Sequence, residues 1–427
     1  MLTNMLERLP INSRALLNGL FAYGLAELSV RLVRLVTIIV IARQLAPEIV
    51  GQAALTLTLF EIIRVFANIG VGQQIIAAPE AQLSAICNTA QRLFWIWCGG
   101  VACVQLIVAL ILATAFDQIT AATMLALLSL VYACMPGGLV QCFLLMREGR
   151  AAVTARTTAI QTITDHILTA ALLLAWPSPW SVVLPKLLTA PIWLLLTRHA
   201  RPWTANHDAG AVPCQQLLSF GLSVLATDMV IALRNQADKL IVSAMFGVTA
   251  LGTYFFAFNA GIGIVSSLIS AFGTVLYPAL CATSAGHPRA HRMAHALVLG
   301  TCLFLPVIVG QAAGAAFYVP VIFGDHWAHA APLVAILSLA GIPMLCSSAA
   351  TAWQRAEGKP HQDASAQLLL GIVALAGLAF GASSGSLDAA ALGWVIGQFA
   401  IAIPVAIWVL RRPLSAFRPR PQKGAVA

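Results

Sequence analysis

Charge is nearly absent from this chain: 24 Lys and Arg and 15 Asp and Glu serve 427 residues. Soluble proteins draw on roughly 25% charged residues. A chain that is 9% charged and 60% apolar has too little polarity to cover a soluble surface. Ordinary soluble enzymes, secreted disulfide scaffolds and disordered chains are therefore excluded. Apolar runs fall at 17–42, 50–76, 88–115, 120–146, 151–175, 181–198, 215–246, 248–281, 292–323, 328–354, 364–382 and 388–410. A spanning helix takes about 20 residues. The runs therefore predict an all-α polytopic membrane protein with 12 transmembrane helices. Ten-residue segments alternating polar and apolar positions, the mark of a membrane barrel, do not occur.

The loop charges test that count separately. With the N-terminus in the cytoplasm, the inner segments carry Arg8, Arg14, Arg92, Arg147, Arg150, Arg156, Arg198, Arg201, Arg289, Arg292, Arg355 and Lys359. They also carry the tail residues Arg411, Arg412, Arg418, Arg420 and Lys423, whereas Arg43 alone falls in an outer connection. Basic residues favour the cytoplasmic side, so this alternation places both termini there. The net charge of +9 is thus read as orienting helices rather than binding nucleic acid. Nine cysteines occur without CxxC spacing and read as small apolar core residues. The mixed segment Met1 to Leu16, followed by a run holding Glu27, Arg31 and Arg34, does not read as a cleavable signal.

The longest polar connection, Thr197 to Cys214, divides the chain. The expected organisation is an N-terminal six-helix bundle over 1–200, a cytoplasmic linker over 201–214, a second six-helix bundle over 215–411 and a basic tail over 412–427. Pro47 to Gly51 and Val248 to Gly252 echo each other as short outer turns after a charged helix. Two six-helix halves enter the membrane in the same direction, so the repeat would be a pseudo-twofold along the membrane normal.

Ionisable residues inside these runs are costly, about 2.5–3.5 kcal/mol each on insertion scales, and persist where they meet water, a partner or a substrate. Glu27, Arg31 and Arg34 share one helical face, and so do Glu61, Arg64 and Asn68. Helix 5 aligns Thr158, Gln161, Asp165 and Thr169, and helix 7 carries Asp228, Arg234, Asp238 and Lys239. One reading is mutual neutralisation: Glu27 with Arg31, Glu61 with Arg64 and Arg234 with Asp238 have pairing distances along a helix. The five basic and five acidic residues also sum to zero. The preferred reading is a functional cavity, because apolar residues would pack helices at lower cost than buried ion pairs. Arg31, Arg34, Arg64, Arg234 and Lys239 suit a pyrophosphate, whose oxygens match the guanidinium fork. Glu27, Glu61, Asp165, Asp228 and Asp238 are the candidates for cation coupling or ion pairing.

Other signals lead to local expectations. His287, His291 and His295 read as an interfacial basic face rather than a metal site. Trp327, in His326-Trp327-Ala328-His329, reads as an interfacial anchor at an outer turn. Gly99-Gly100, Gly137-Gly138 and Pro136 read as helix-packing and kink sites, and Pro185 with Pro191 as an irregular, hinge-like helix. GxxxxGKS, GxSxG and HExxH are missing from the sequence. No enzyme activity, metal or cofactor is expected.

Several motifs then occur in a fixed order. They are Ala42-Arg43-Gln-Leu-Ala-Pro47-Glu48-Ile-Val-Gly51, Phe66-Ala-Asn68-Ile-Gly70-Val-Gly72, Asn235-Gln-Ala-Asp238-Lys239-Leu-Ile-Val-Ser-Ala-Met-Phe-Gly247 and Leu251-Gly252-Thr-Tyr254. Tyr277-Pro278-Ala-Leu280, then Phe323-Gly-Asp-His-Trp327 with Ala330-Ala-Pro-Leu, and the Gly358 turn complete the set. In these the chain resembles the polysaccharide transporters (oligosaccharide flippases) of the multidrug/oligosaccharidyl-lipid/polysaccharide exporter superfamily. It departs from their pattern at Val50, where an aromatic residue is usual, and at Asn68, where an acid is frequent.

The resemblance implies two six-helix bundles forming a V around a central cavity in a bacterial inner membrane. That cavity would pass an undecaprenyl-pyrophosphate-linked oligosaccharide between leaflets for exopolysaccharide or lipopolysaccharide synthesis. Arg31, Arg34, Arg64 and Arg234 lie on helices comparable to those whose arginines line it. Implied partners are the lipid-linked oligosaccharide, membrane lipid, a polysaccharide polymerase and a chain-length regulator. The alternatives are a cation-coupled multidrug exporter working through Glu27, Asp165 and Asp228, and a non-transporting membrane assembly protein. A membrane polymerase or ligase fits poorly, because the outer connections are short. The driving force, whether membrane potential, a coupled cation or product removal, stays open.

Overall fold

The computed structural model describes residues 29–67, 70–283 and 286–415. Glu27, Asn68, Arg8, Arg14 and the tail residues Arg418, Arg420 and Lys423 lie outside the described residues. Helix α1 spans 29–44, and α2 (Pro47–Val65) starts immediately beyond a two-residue turn. Pro47 sits where a helix needs no amide donor, and Glu48 complements the positive end of the helix dipole. Then follow α3 (Val71–Ala77), α4 (Leu83–Ala115), α5 (Ile119–Leu128), α6 (Val131–Cys134) and α7 (Pro136–Arg147). The first part of the chain continues through α8 (Ala151–Ala175) and α9 (Pro179–Ala200). The remainder comprises α10 (Cys214–Ala260), α11 (Ile262–Cys281), α12 (His287–Phe323), α13 (Ala331–Ser338), α14 (Gly341–Ala356), α15 (Pro360–Ala382) and α16 (Leu387–Ser415). No strand occurs among the described residues.

Helical backbone covers most of each apolar run where these are described, with breaks that include 66–67, 129–130, 135, 261 and 339–340. Eight helical segments are long and apolar enough to cross a membrane, or nine when the pair Ile119–Cys134 and Pro136–Arg147, bent by 53°, is one span. Large apolar side chains on their outer faces, such as Ile107 and Leu110 on α4 and Leu299 and Leu303 on α12, are exposed. Such a surface matches hydrocarbon rather than water. The protein is an all-helical, multi-pass membrane protein.

The chain packs as two compact units, Met1–Gln236 and Ala237–Ala427. In the first, Pro136 produces the expected bend: it lacks an amide donor and its ring opposes the preceding turn. The turns before it tighten, with Ser129 N bonded to Ala126 O and Tyr132 N to Ser129 O at 3.1 Å each. Gly137 and Gly138 lie against Leu194 and Trp193 of α9, as packing sites should. Gly99 and Gly100, by contrast, have open space where a Cβ would point, so they are not packing sites. Helix α9 also differs from the expected hinge, because it runs unbroken through Pro185 and Pro191.

In the second unit, α10 changes direction at Gly247, whose φ of 82° suits a residue without a Cβ. Trp327 is fully buried and stacks on Phe256 with ring centroids 4.0 Å apart. The expected interfacial anchor is therefore a core residue; the 3₁₀ turn Asp325–Ala330 rotates its indole inward. Helices α15 and α16 approach backbone to backbone. A Cβ on Gly377 would collide with Gly393 O, and one on Gly397 would lie 2.6 Å from Val373 O. The four-residue spacing of Gly377 and Gly381, matched by Gly393 and Gly397, is the small-residue pattern of close helix pairs.

Two substitutions separate these glycine environments. Gly393→Leu is expected to lower stability by about 3 kcal/mol or more, since neither backbone can move aside. Gly100→Ala should be neutral or stabilising by about 0.5–1 kcal/mol. Thermal unfolding of the purified protein in detergent measures both.

Candidate functional site

The charges predicted to mark a site fall in separate local settings. On α1, Arg31 is half-buried and Arg34 exposed, one turn apart, and each charge acts on the other. Their neighbours Leu32 and Val36 are exposed apolar residues, so cationic and apolar faces coexist on a single helix. On α2, Arg64 meets Glu61 through Nη2 at 2.7 Å and Nε at 3.1 Å, an i,i+3 pair in which both side chains keep substantial exposure. This is the neutralising pair anticipated from spacing. It lies within electrostatic reach of Tyr132 on α6.

On α8, Asp165 is buried, and its Oδ2 lies 3.4 Å from Lys186 Nζ on α9. Spacing along one helix could not show this partner, because it belongs to another. The rest of the stripe is mixed: Thr158 is exposed, Gln161 half-buried and Thr169 buried, the last bonded to Asp165 O at 2.8 Å. Helix α1 reaches α8 through Thr37 Oγ1, which donates to His166 O at 3.3 Å.

On α10, Asp228 and Arg234 are half-buried. Asp238 and Lys239 are buried and paired at 3.3 Å. Because the helix folds back at Gly247, Tyr254 donates to Asp238 Oδ2 at 3.0 Å and the Phe258 ring lies 4.6 Å from Lys239 Nζ. A buried carboxylate and ammonium are thus held by one another, a phenol and an aromatic face. This satisfies much of their desolvation cost. The arrangement fixes the fold-back and places Lys239 among internal contacts.

The loop arginines, read as topological, also bind helix ends. Arg147 Nη1 donates to Ile76 O at 2.9 Å and to Ala78 O at 2.6 Å, while its Nη2 meets Glu80. Arg198 donates to Gly137 O at 2.8 Å, and Arg289 to Ala356 O at 2.9 Å. The Arg147 and Arg289 contacts satisfy orphan carbonyls that helices leave at their C-terminal ends, whereas Arg198 meets α7 at its start, since Gly137 is the second residue of that helix. In the turn after α7, Arg201 bonded to Glu148 at 2.8 Å holds that carboxyl below its ordinary range.

A family model described as polysaccharide biosynthesis protein matches residues 40–332. The chain is 24% identical over 396 residues to the succinoglycan biosynthesis transport protein ExoT of Rhizobium meliloti (strain 1021), covering 89% of this chain and 76% of that protein. Among solved structures it is similar to the lipid II flippase MurJ in an inward closed conformation. The TM-score is 0.71 at 12% identity, over 92% of this chain and 90% of that one. An inward-facing multidrug resistance MATE family transporter of the MOP superfamily superposes with a TM-score of 0.66 at 15% identity, over 93% and 99% of the two chains. These structural likenesses establish the fold.

The fold-back cluster makes a testable demand. Asp238→Ala leaves Lys239 buried without that carboxylate and should cost about 3–5 kcal/mol. Replacing both charges in Asp238→Leu/Lys239→Met should cost distinctly less. Thermal unfolding in detergent compares them, and equal losses would contradict the pairing argument.

Proposed function

We propose that this chain, which belongs to the family of polysaccharide biosynthesis proteins, moves a lipid-linked oligosaccharide across the bacterial inner membrane. The carrier in this reading is undecaprenyl pyrophosphate, and the product feeds exopolysaccharide or lipopolysaccharide synthesis. The observation that carries the reading is the pair Arg31 and Arg34, held in a helix whose neighbouring side chains are exposed apolar groups. A lipid diphosphate presents that combination of needs. Its oxygens take guanidinium donors, and its prenyl tail remains in hydrocarbon. The similarity to a succinoglycan transport protein and the fold shared with a lipid II flippase support the same class of cargo.

In the full proposal, twelve helices form two six-helix bundles related by a pseudo-twofold along the membrane normal, with both termini in the cytoplasm. The bundles occupy 1–200 and 215–411, joined by the cytoplasmic segment 201–214. Alternating access carries the diphosphate past Arg31, Arg34, Arg64 and Arg234. Arg64 would exchange Glu61 for substrate oxygens, an inexpensive step for a pair with this much exposure. The polymerase and chain-length regulator that use the delivered repeat units are the proposed partners. A cation-coupled drug exporter working through Glu27, Asp165 and Asp228 is less well supported, because Asp165 already faces a lysine ammonium group. The transporter reading assigns no bond-making step to the chain itself.

Arg31→Ala, Arg34→Ala, Arg64→Ala and Arg234→Ala should each lower flipping of lipid-linked oligosaccharide by about tenfold or more, with membrane insertion unchanged. Reconstitution into vesicles and detection of the glycan in the far leaflet measures this. Full transport by all four variants would overturn the assignment.

A further inference from the structure

We propose that Lys186 is a diphosphate-contacting residue of this transport site, with Asp165 as the residue that positions its ammonium group. The inference rests on the lipid-linked reading above and extends it to a side chain on α9.

The pair is not built like a closed structural salt bridge. What sets it apart from the buried Asp238–Lys239 pair is exposure, since its Nζ to Oδ2 separation of 3.4 Å is close to the 3.3 Å there. The Lys186 side chain keeps 30% of its exposure, against 11% for Asp165. An ammonium has three donors, so an accessible face remains for an anion. The second carboxylate oxygen, Oδ1, is buried without a hydrogen-bond partner. A pair selected only for stability would satisfy that oxygen, because an unmet buried acceptor costs free energy.

The surroundings favour an anion. The charges of Asp165, Lys186 and Arg34 all reach His166, and Thr37, one turn beyond Arg34, binds α1 to the His166 carbonyl. Among the described residues, two cations and one carboxylate thus act on this ring. Depth agrees as well. Lys186 lies about 10 Å along α9 from its start and Asp165 about 15 Å from the end of α8, at 1.5 Å per residue. A three-residue turn joins those two helix ends; with that turn at the membrane surface, both groups fall well inside a hydrocarbon layer about 30 Å thick. There an anionic headgroup in transit needs donors.

The test replaces both charges with neutral near-isosteres. Asp165→Asn/Lys186→Gln removes the whole pair and so leaves no unpaired ion behind. Binding of farnesyl pyrophosphate to the purified full chain in detergent is the readout, with inorganic pyrophosphate as a parallel arm. The double variant is expected to bind farnesyl pyrophosphate about tenfold more weakly than the wild type. Asp165→Asn alone, which retains the ammonium but removes the carboxylate that positions it, should weaken binding less than the double variant does. Wild-type affinity in the double variant would overturn the role of Lys186. A loss in Asp165→Asn as large as that of the double variant would also overturn it, since the pair would then matter for its own sake. Equal weakening in both probe arms assigns the contact to the diphosphate, whereas weakening confined to the farnesyl arm assigns it to the lipid and overturns the inference. Absence of binding by the wild-type protein would remove the lipid-diphosphate reading itself, and the inference with it.

Discussion

An ionisable group inside a hydrocarbon slab must be met by something, and that requirement organises this molecule. Hydrogen bonds within helices satisfy the backbone, and exposed apolar side chains accept the lipid. The few charges left inside need individual solutions. Asp238 and Lys239 are enclosed with a phenol and a ring. Arg64 and Glu61 pair where both stay accessible. Asp165 reaches Lys186 on the neighbouring helix, where the ammonium stays partly accessible. The first setting is closed and fixes the fold, whereas the other two keep accessible cations, the ones proposed to meet a passing anion.

The same economy appears at the helix ends. Arg147, Arg198 and Arg289 donate to carbonyls of other segments, so residues whose pattern reads as orienting the chain also fasten its connections. The polar segment 201–214, inside the first compact unit, is held too: Asn88 donates to Asn206 O at 2.6 Å, and Thr89 Oγ1 bonds both the carbonyl and the amide of Val212. A stretch that composition marks as a linker is thereby anchored to α4.

Helix type and approximate placement were legible because periodicity and hydropathy are local properties. The bend at Pro136 and the close approach at Gly137 and Gly138 were legible for the same reason. The Asp165–Lys186 pair was hidden, because contact between helices depends on how they rotate against one another. Trp327 was misread since its burial follows from a 3₁₀ turn that carries no hydropathy signal. A repeat in the chain was also available and unused. Leu128-Ser129-Leu130 precedes Glu148-Gly149-Arg150 at the same spacing by which Leu337-Ser338-Leu339 precedes Glu357-Gly358-Lys359. Both sequences tighten just after the serine, with Leu130 N bonded to Leu127 O and Leu339 N to Ile336 O, and close in the same way, with Arg150 N bonded to Leu145 O and Lys359 N to Gln354 O. Glycine at 149 and 358 supplies the positive φ that such a closure requires.

The backbone contact between α15 and α16 constrains any motion of the second unit. Where side chains interdigitate, helices can shift by changing rotamers. Gly377 and Gly393 leave nothing between the two main chains to rearrange. The pair therefore travels as one rigid strut, and bending is left to irregular places such as Gly247 and the i→i+3 bonds around Leu339 and Ala340.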